Sequence, residues 1–271
     1  MPQKTSTLNL RENLQDRFVA FIDVMGFKEL VKSGNIDNLE IYFDRISDVL
    51  DKLRIKKKKV QSFLISDSII LIAPPGNTGL RELLEAIRTI QSSLLWKKIL
   101  LRGAVSYGPV YYNAAKNIVV GMGFIKAYLL EQEAKHPRII IDPAIIRLGF
   151  NDKADFLKQM NRSEDYNFEQ RLVYSASEFA RISDDGIFID YANKTIKELE
   201  VVGNLERIYD MIVENLYSDQ RLYTKYIWLR DYFIECLKLT HTIHFTKHTR
   251  TDEELRQMDK LRSWMERFYR L

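Results

Sequence analysis

Two aspartates, Asp23 in "RFVAFIDVMGF" and Asp67 in "VQSFLISDSIILIAP", each follow an apolar run that reads as a strand. A carboxylate at such a place is costly unless it is hydrogen-bonded or meets a cation. Taken singly, Asp23 suits a cap on the following helix, and Asp67 suits a hairpin bend. Taken together, beside Gly26, they suit a pair of hard divalent cations carrying a polyphosphate. Carboxylates held close repel each other unless a cation lies between them, so the pair points to metal more strongly than either member does.

The elements that must position them follow from periodicity. "RFVAFID" reads as a strand, and "GFKELVKSG" and "NLEIYFDRISDVLDKL" as amphipathic helices separated by "SGNID". A strand, a bend and a second strand follow in "VQSFLISDSIILIAP". "GLRELLEAIRTIQSSLLWKK" is a helix, and "ILLRGAVSYGPVYY" is a strand pair broken at Gly108–Pro109. "GFIKAYLLEQEAK" is a helix and "PRIIID" a strand. This order is an α+β, ferredoxin-like or palm-like βαββαβ sheet with helices on one face. The first strand then runs beside the hairpin, which lets Asp23 face the bend at Asp67. Residues 1–150 form this core. Residues 151–271 add the short strands "RLVYSA" and "GIFIDY", then helical periodicity from about 195 to 240 and from 252 onward, as a continuation of the same globular unit.

Composition bounds the alternatives. A chain of 271 residues that is 46% hydrophobic can bury a good core. Its apolar runs are too short to span a bilayer and its start lacks a signal-peptide pattern, so no membrane and a cytoplasmic location are expected. Cys236 sits in "YFIECLKL" and reads as a reduced core thiol. The net charge of +4 comes from 41 basic and 37 acidic residues, a mixed surface that argues against a nucleic-acid partner. The dense run "KLRIKKKKV" reads as a solvated loop. His241, His244 and His248 read as a surface loop or helix end rather than a metal site, and His136, before Pro137, as a turn residue.

"FIDVMGF" and "ISDSIIL" resemble the two segments that carry the metal-binding aspartates of class III nucleotide cyclases. "LRGAVSYGPV" is similar to a strand of that family, and "AYLLEQEAKHPRIIID" falls where its dimer-spanning helix and next strand fall. The resemblance covers about 17–142. It implies that Asp23 and Asp67 bind two divalent cations, Mn²⁺ or Mg²⁺, with the Val24 carbonyl as a further ligand. It also implies that backbone groups at Met25, Gly26 and Phe27 cradle the terminal phosphates and that Arg102 contacts the triphosphate.

The chain departs from the purine cyclases at Ile125 and Leu129, where they carry an asparagine and an arginine, and at Phe63, where they carry an adenine-reading lysine. None of these side chains donates a hydrogen bond. Lys126 and Tyr128 are the polar substitutes available on the same helix, and Phe63 either lines a base pocket or packs beneath the sheet. With both aspartates kept and the purine-reading residues changed, the chain is similar to the pyrimidine cyclases of bacterial Pycsar antiphage systems. That resemblance implies a homodimer with sites at its interface and a separate effector that responds to the cyclic nucleotide. It implies a substrate that is a pyrimidine nucleoside triphosphate, UTP placed slightly ahead of CTP. Two alternatives stay open: a degenerate cyclase fold that binds nucleotide or a protein without turnover, and a nucleic-acid-binding module that uses the lysine run.

Overall fold

The computed structural model describes residues 9–56, 59–161, 171–175, 186–192, 204–245 and 251–271. After a short α1 (Leu10–Asn13), the first half runs β1 (Gln15–Val24), α2 (Phe27–Lys32), α3 (Ile36–Lys56), β2 (Gln61–Ile65), β3 (Ser68–Ala73) and α4 (Asn77–Leu95). It continues through β4 (Leu101–Asn113), β5 (Ile118–Val120), α5 (Met122–Glu131) and β6 (Ile139–Ile141). The second half adds α6 (Lys153–Asn161), β7 (Val173–Ser175), β8 (Ile187–Ile189), α7 (Asn204–Leu216), α8 (Gln220–Phe245) and α9 (Asp252–Tyr269).

The strands form one sheet in the order β2-β3-β1-β4-β6-β8-β7, with β5 pairing the far end of β4. β1 is antiparallel to both β3 and β4, and β2 to β3. With α3 and α4 as the crossovers, this is the expected βαββαβ order. β6 joins parallel to β4, and β8 and β7 extend the sheet antiparallel, so the second half continues the sheet of the first.

Alternation along the strands assigns each face a core. Phe18, Ala20, Ile22 and Val24 of β1 pack with α3 and α4. The stripe Leu80, Leu83, Leu84, Ile87, Ile90 and Leu94 of α4 follows helical spacing and is buried. Each such side chain contributes about 1.5–3 kcal/mol of burial. Val19 and Phe21 point to the other face, where they meet Phe63, Ile70 and Ala127 of α5. Further along that second face, Ala104, Ile140, Tyr174 and Phe188 lie under α7, α8 and α9. The second face is therefore covered differently along the sheet: α5 lies over β1, whereas the C-terminal helices lie over β6, β8 and β7.

Close approach fixes α5. A Cβ on Gly123 would stand 2.9 Å from the Gly108 carbonyl oxygen, and Ser106 Oγ donates to the Gly123 carbonyl at 2.6 Å. The expected break at Gly108–Pro109 is corrected here, because β4 runs unbroken and stays in register with β1 through Asp16↔Pro109. β6 pairs β4 only over Gly103–Val105, so the stretch with the proline has a free flank, where a missing N–H is tolerated. The loop expected at "KLRIKKKKV" is corrected in part: α3 continues to Lys56, and Arg54 is held by Asp51 and Ser62. Lys57, Lys58, His248 and the 195–203 stretch lie outside the described residues. His241 and His244 belong to α8, and the His136 ring stacks on Trp228 at 5.6 Å. Cys236 is buried as expected. Among the described residues no helix is long and apolar enough to cross a membrane.

A buried polar knot ties the second half to the sheet. Asp190 follows β8, is 0% exposed, and accepts from Arg171 and, at 2.6 Å, from Tyr232 Oη of α8. Tyr191 Oη donates to the Pro137 carbonyl, and Ser92 Oγ of α4 donates to the Tyr191 carbonyl. Removing one partner of such a pair strands the other charge. Asp190→Ala should therefore lower the unfolding free energy by about 3–5 kcal/mol, read by urea denaturation, and an unchanged midpoint would show the knot to be dispensable.

Candidate active site

Asp23 is the second-last residue of β1, and the register of that strand places it between two neighbours. Across β3 it pairs with Ser68, the residue after Asp67, and across β4 it pairs directly with Arg102. The two-residue bend that presents Asp67 needs a left-handed residue, and Ser66 takes that conformation with φ 57°. Asp23 shares its face with Phe21 and Val19, the face of α5.

Arg102 holds Asp23 with two donors: its Nε and Nη2 lie 3.2 and 3.1 Å from the same oxygen, Oδ2. Its Nε also lies 2.7 Å from Glu131 Oε1, as an ion pair too poorly aligned to count as a hydrogen bond. Glu131 ends α5 and its side chain is only 5% exposed, against 21% for Asp23 and 33% for Arg102. Burial pushes the Asp23 carboxyl above the usual carboxylate range; Arg102 pulls it down, and the Asp67 charge raises it again. Burial likewise raises Glu131, against Arg102 and with the charges of Asp23 and Asp67. Tyr42 of α3 is buried with its hydroxyl unpartnered, and burial followed by the charges of Asp67 and Asp23 holds its proton on.

The site residues expected from the sequence are therefore partly brought together. Asp23, Asp67 and Arg102 converge, and the Met25–Gly26–Phe27 turn leaves β1 two residues later. Gly26 is left-handed with φ 85°, no side chain caps α2, and nothing stands within 4 Å of where its Cβ would be. Val24 is buried and pairs with Leu101, and the Phe27 ring packs 5.2 Å from Tyr42. Phe63 faces the α5 side, but it is buried in the sheet core near Tyr112. Tyr128 is 42% exposed with its ring edge-on to Phe21 at 5.3 Å, and Lys126 is exposed on α5. Ile125 and Leu129 are exposed too.

Sequence reasoning missed Glu131 and Tyr42. Glu131 lies on the buried stripe Gly123, Ala127, Glu131 of α5, an acid at four-residue spacing from small residues. Tyr42 lies on the inner stripe of α3 with Ile46, Val49 and Leu53. In both cases the signal was a polar group on an apolar face.

Three carboxylates against one guanidinium leave excess negative charge in a half-buried place, which a hard cation would cancel. Glu131 stands behind Arg102, and among the described residues no three acidic, His or Cys side chains form a ready cage. The donor set fits ions such as Mg²⁺ or Mn²⁺ that take one or two protein carboxylates and complete their sphere with substrate oxygens and water.

No protein-family model and no curated protein matches the chain. Among solved structures it is similar to the monomeric guanylyl cyclase domain of the RhoGC fusion protein from the aquatic fungus Blastocladiella emersonii. That match has 15% identity and TM-score 0.41, over 50% of this chain and 85% of the other. It is also similar to the adenylyl cyclase CyaB from P. aeruginosa, with 19% identity and TM-score 0.37 over 50% and 81%. A class III adenylyl cyclase-like ATP-binding protein from Pseudomonas aeruginosa matches at 13% identity and TM-score 0.35 over 52% and 37%.

A carboxyl raised by burial keeps its proton to higher pH in the folded protein than in the unfolded chain. The metal-free protein should therefore lose stability as pH rises from the ordinary carboxylate range into the raised one. Cations and protons compete for the same oxygens. Calorimetry should find Mn²⁺ bound more weakly at about pH 5 than at about pH 7.5, and not bound at this site in Asp67→Asn. Equal affinity at both values would contradict this electrostatic account.

Proposed function

We propose that the chain is a class III nucleotide cyclase that converts a pyrimidine nucleoside triphosphate to its 3′,5′-cyclic monophosphate and pyrophosphate. The observation that supports this most is the meeting of Asp23, Asp67 and Arg102 beside the open turn at Gly26. A hard-cation carboxylate pair next to a backbone open to phosphates is the equipment for phosphoryl transfer, which needs positioning and charge neutralisation more than covalent chemistry. Two Mg²⁺ or Mn²⁺ ions, held by Asp23, Asp67 and the Val24 carbonyl, would supply Lewis acidity toward the ribose 3′-hydroxyl and the triphosphate.

The residues themselves hold and orient. The 3′-oxygen attacks the α-phosphorus, its proton passes to solvent, and the bond to the bridging oxygen of pyrophosphate breaks. Arg102 exchanges its bond to Asp23 for one to the departing phosphate charge, while the buried Glu131 keeps the guanidinium from swinging away. Backbone groups at Met25, Gly26 and Phe27 take the terminal phosphates. Phe63, within the face that carries Asp23, shapes the floor of the base site, and Tyr128 and Lys126 offer it polar groups from the partner's side.

The surface of α5 supports a homodimer. Met122, Ile125 and Leu129 are 57%, 42% and 56% exposed, an apolar strip that a second copy would cover. A second copy covering it sets the α5 residues of one protomer against the aspartates of its partner. The pyrimidine base, the role in antiphage defence and the separate cyclic-nucleotide effector are drawn only from the resemblance of the sequence to the Pycsar pyrimidine cyclases.

Incubation with Mn²⁺ and each of ATP, GTP, CTP and UTP, with products identified by mass, tests this. A cyclic pyrimidine monophosphate should form, and Asp23→Ala or Asp67→Ala should slow it at least about a thousandfold, some 4 kcal/mol of transition-state stabilisation. Binding without turnover would assign a degenerate nucleotide binder instead. Leu129→Glu should convert the dimer to monomer in sedimentation and abolish turnover; a dimer that survives would place the interface elsewhere.

A further inference from the structure

The C-terminal helices do more than complete the core. Where α7 passes into α8 they face the β1–α2 turn across a cleft of about 340 Å³. Its walls include Gly26, Glu29, Lys98, Asp219, Arg221 and Lys225. The volume lies within the range of small-ligand pockets, and the cleft opens beside the turn that leaves Asp23. Met25 N donates to the Leu100 carbonyl at 2.9 Å, which fixes the turn against the entry to β4 and so against Arg102. The cleft is thus built onto the aspartate site from the side opposite the Asp67 bend.

Its charges are unequal in freedom. Arg221 is engaged by Asp219 through two donors, Nη2 3.0 Å from Oδ2 and Nε 3.2 Å from Oδ1. Lys98, left-handed in the turn that ends α4, reaches Glu214 at 3.2 Å through a pair exposed to water on both sides. Exposed pairs of this kind are weak and give way to a stronger anion. Lys225 is half-buried on α8 and has no ion pair among the described residues, so its charge faces the cleft without a bonded carboxylate. The acids of the cleft are Asp219, which feels the Lys225 charge as well as Arg221, and Glu29, which faces Arg221. Two available cations around an open glycine backbone suit an anion carrying more than one charge.

We propose that this cleft receives the distal phosphates of the nucleotide, with Lys225 as a direct partner and Lys98 as a second. The C-terminal half thereby completes, within one protomer, a site whose metal-binding half lies on β1 and the β2–β3 bend. This rests on the nucleotide reading above and gives the C-terminal extension a role in it.

The test uses the full chain and a probe without a base. Calorimetric titration of inorganic tripolyphosphate with Mg²⁺ is compared in the wild type, Lys225→Ala, Lys225→Glu and Lys225→Arg, with thermal melts to verify folding. Loss of one charge-assisted phosphate contact should weaken binding about tenfold in Lys225→Ala and further in Lys225→Glu, while Lys225→Arg stays near wild type. Nucleoside triphosphate affinity should fall in parallel. Wild-type affinity in Lys225→Glu would overturn the cleft assignment and leave the cyclase reading standing. A loss for tripolyphosphate with none for the nucleotide would also overturn it, marking a separate anion site. No binding of either probe by the wild type would overturn both.

Discussion

The register of one strand governs this site. β1 lies between β3 and β4, pairing with β4 along its whole length and with β3 from Phe18 to Asp23. A slip of one residue would move Asp23 to the face covered by α3 and α4, away from both Asp67 and Arg102. That register is held by apolar burial: Phe18, Ala20, Ile22 and Val24 lock one face to α3 and α4, and Val19 and Phe21 lock the other to α5. The core of the sheet is therefore also the device that sets the distance between two carboxylates.

The electrostatics follow from that placement. Carboxylates at the end of a buried strand lose solvation, and Arg102 offsets only part of the cost because Asp23 and Glu131 share it. Such a site is poised to exchange an internal cation for external ones. Glu131 is the residue that keeps Arg102 near whichever partner it holds, since its own side chain is buried at the end of α5.

Much of this was legible in the sequence, for identifiable reasons. "RFVAFID" and "SIILIA" are apolar runs bounded by turn residues, so β1 and β3 stood out, and the aspartates at their ends stood out with them. Local signals failed where a distant neighbour decides. Gly108–Pro109 looked like a turn, yet pairing with β1 carries β4 straight through it. The lysine run looked like loop, yet good helix formers extend α3 into it. Glu131 looked like any acid at a helix end; that it is buried beside Arg102 of β4 is a tertiary fact no local pattern reveals. The cleft at Lys225 was illegible for the same reason, since its two walls are about 200 residues apart in the chain.

The most direct test of the central claim is a crystal structure of the full chain grown with Mn²⁺ and a nucleoside triphosphate analogue that lacks the 3′-hydroxyl, with the metal located by its anomalous scattering. The account predicts manganese peaks bridging Asp23 and Asp67, the triphosphate along the Met25–Phe27 turn, and Arg102 turned from Asp23 to phosphate. Manganese and triphosphate bound elsewhere, with Arg102 still on Asp23, would contradict it.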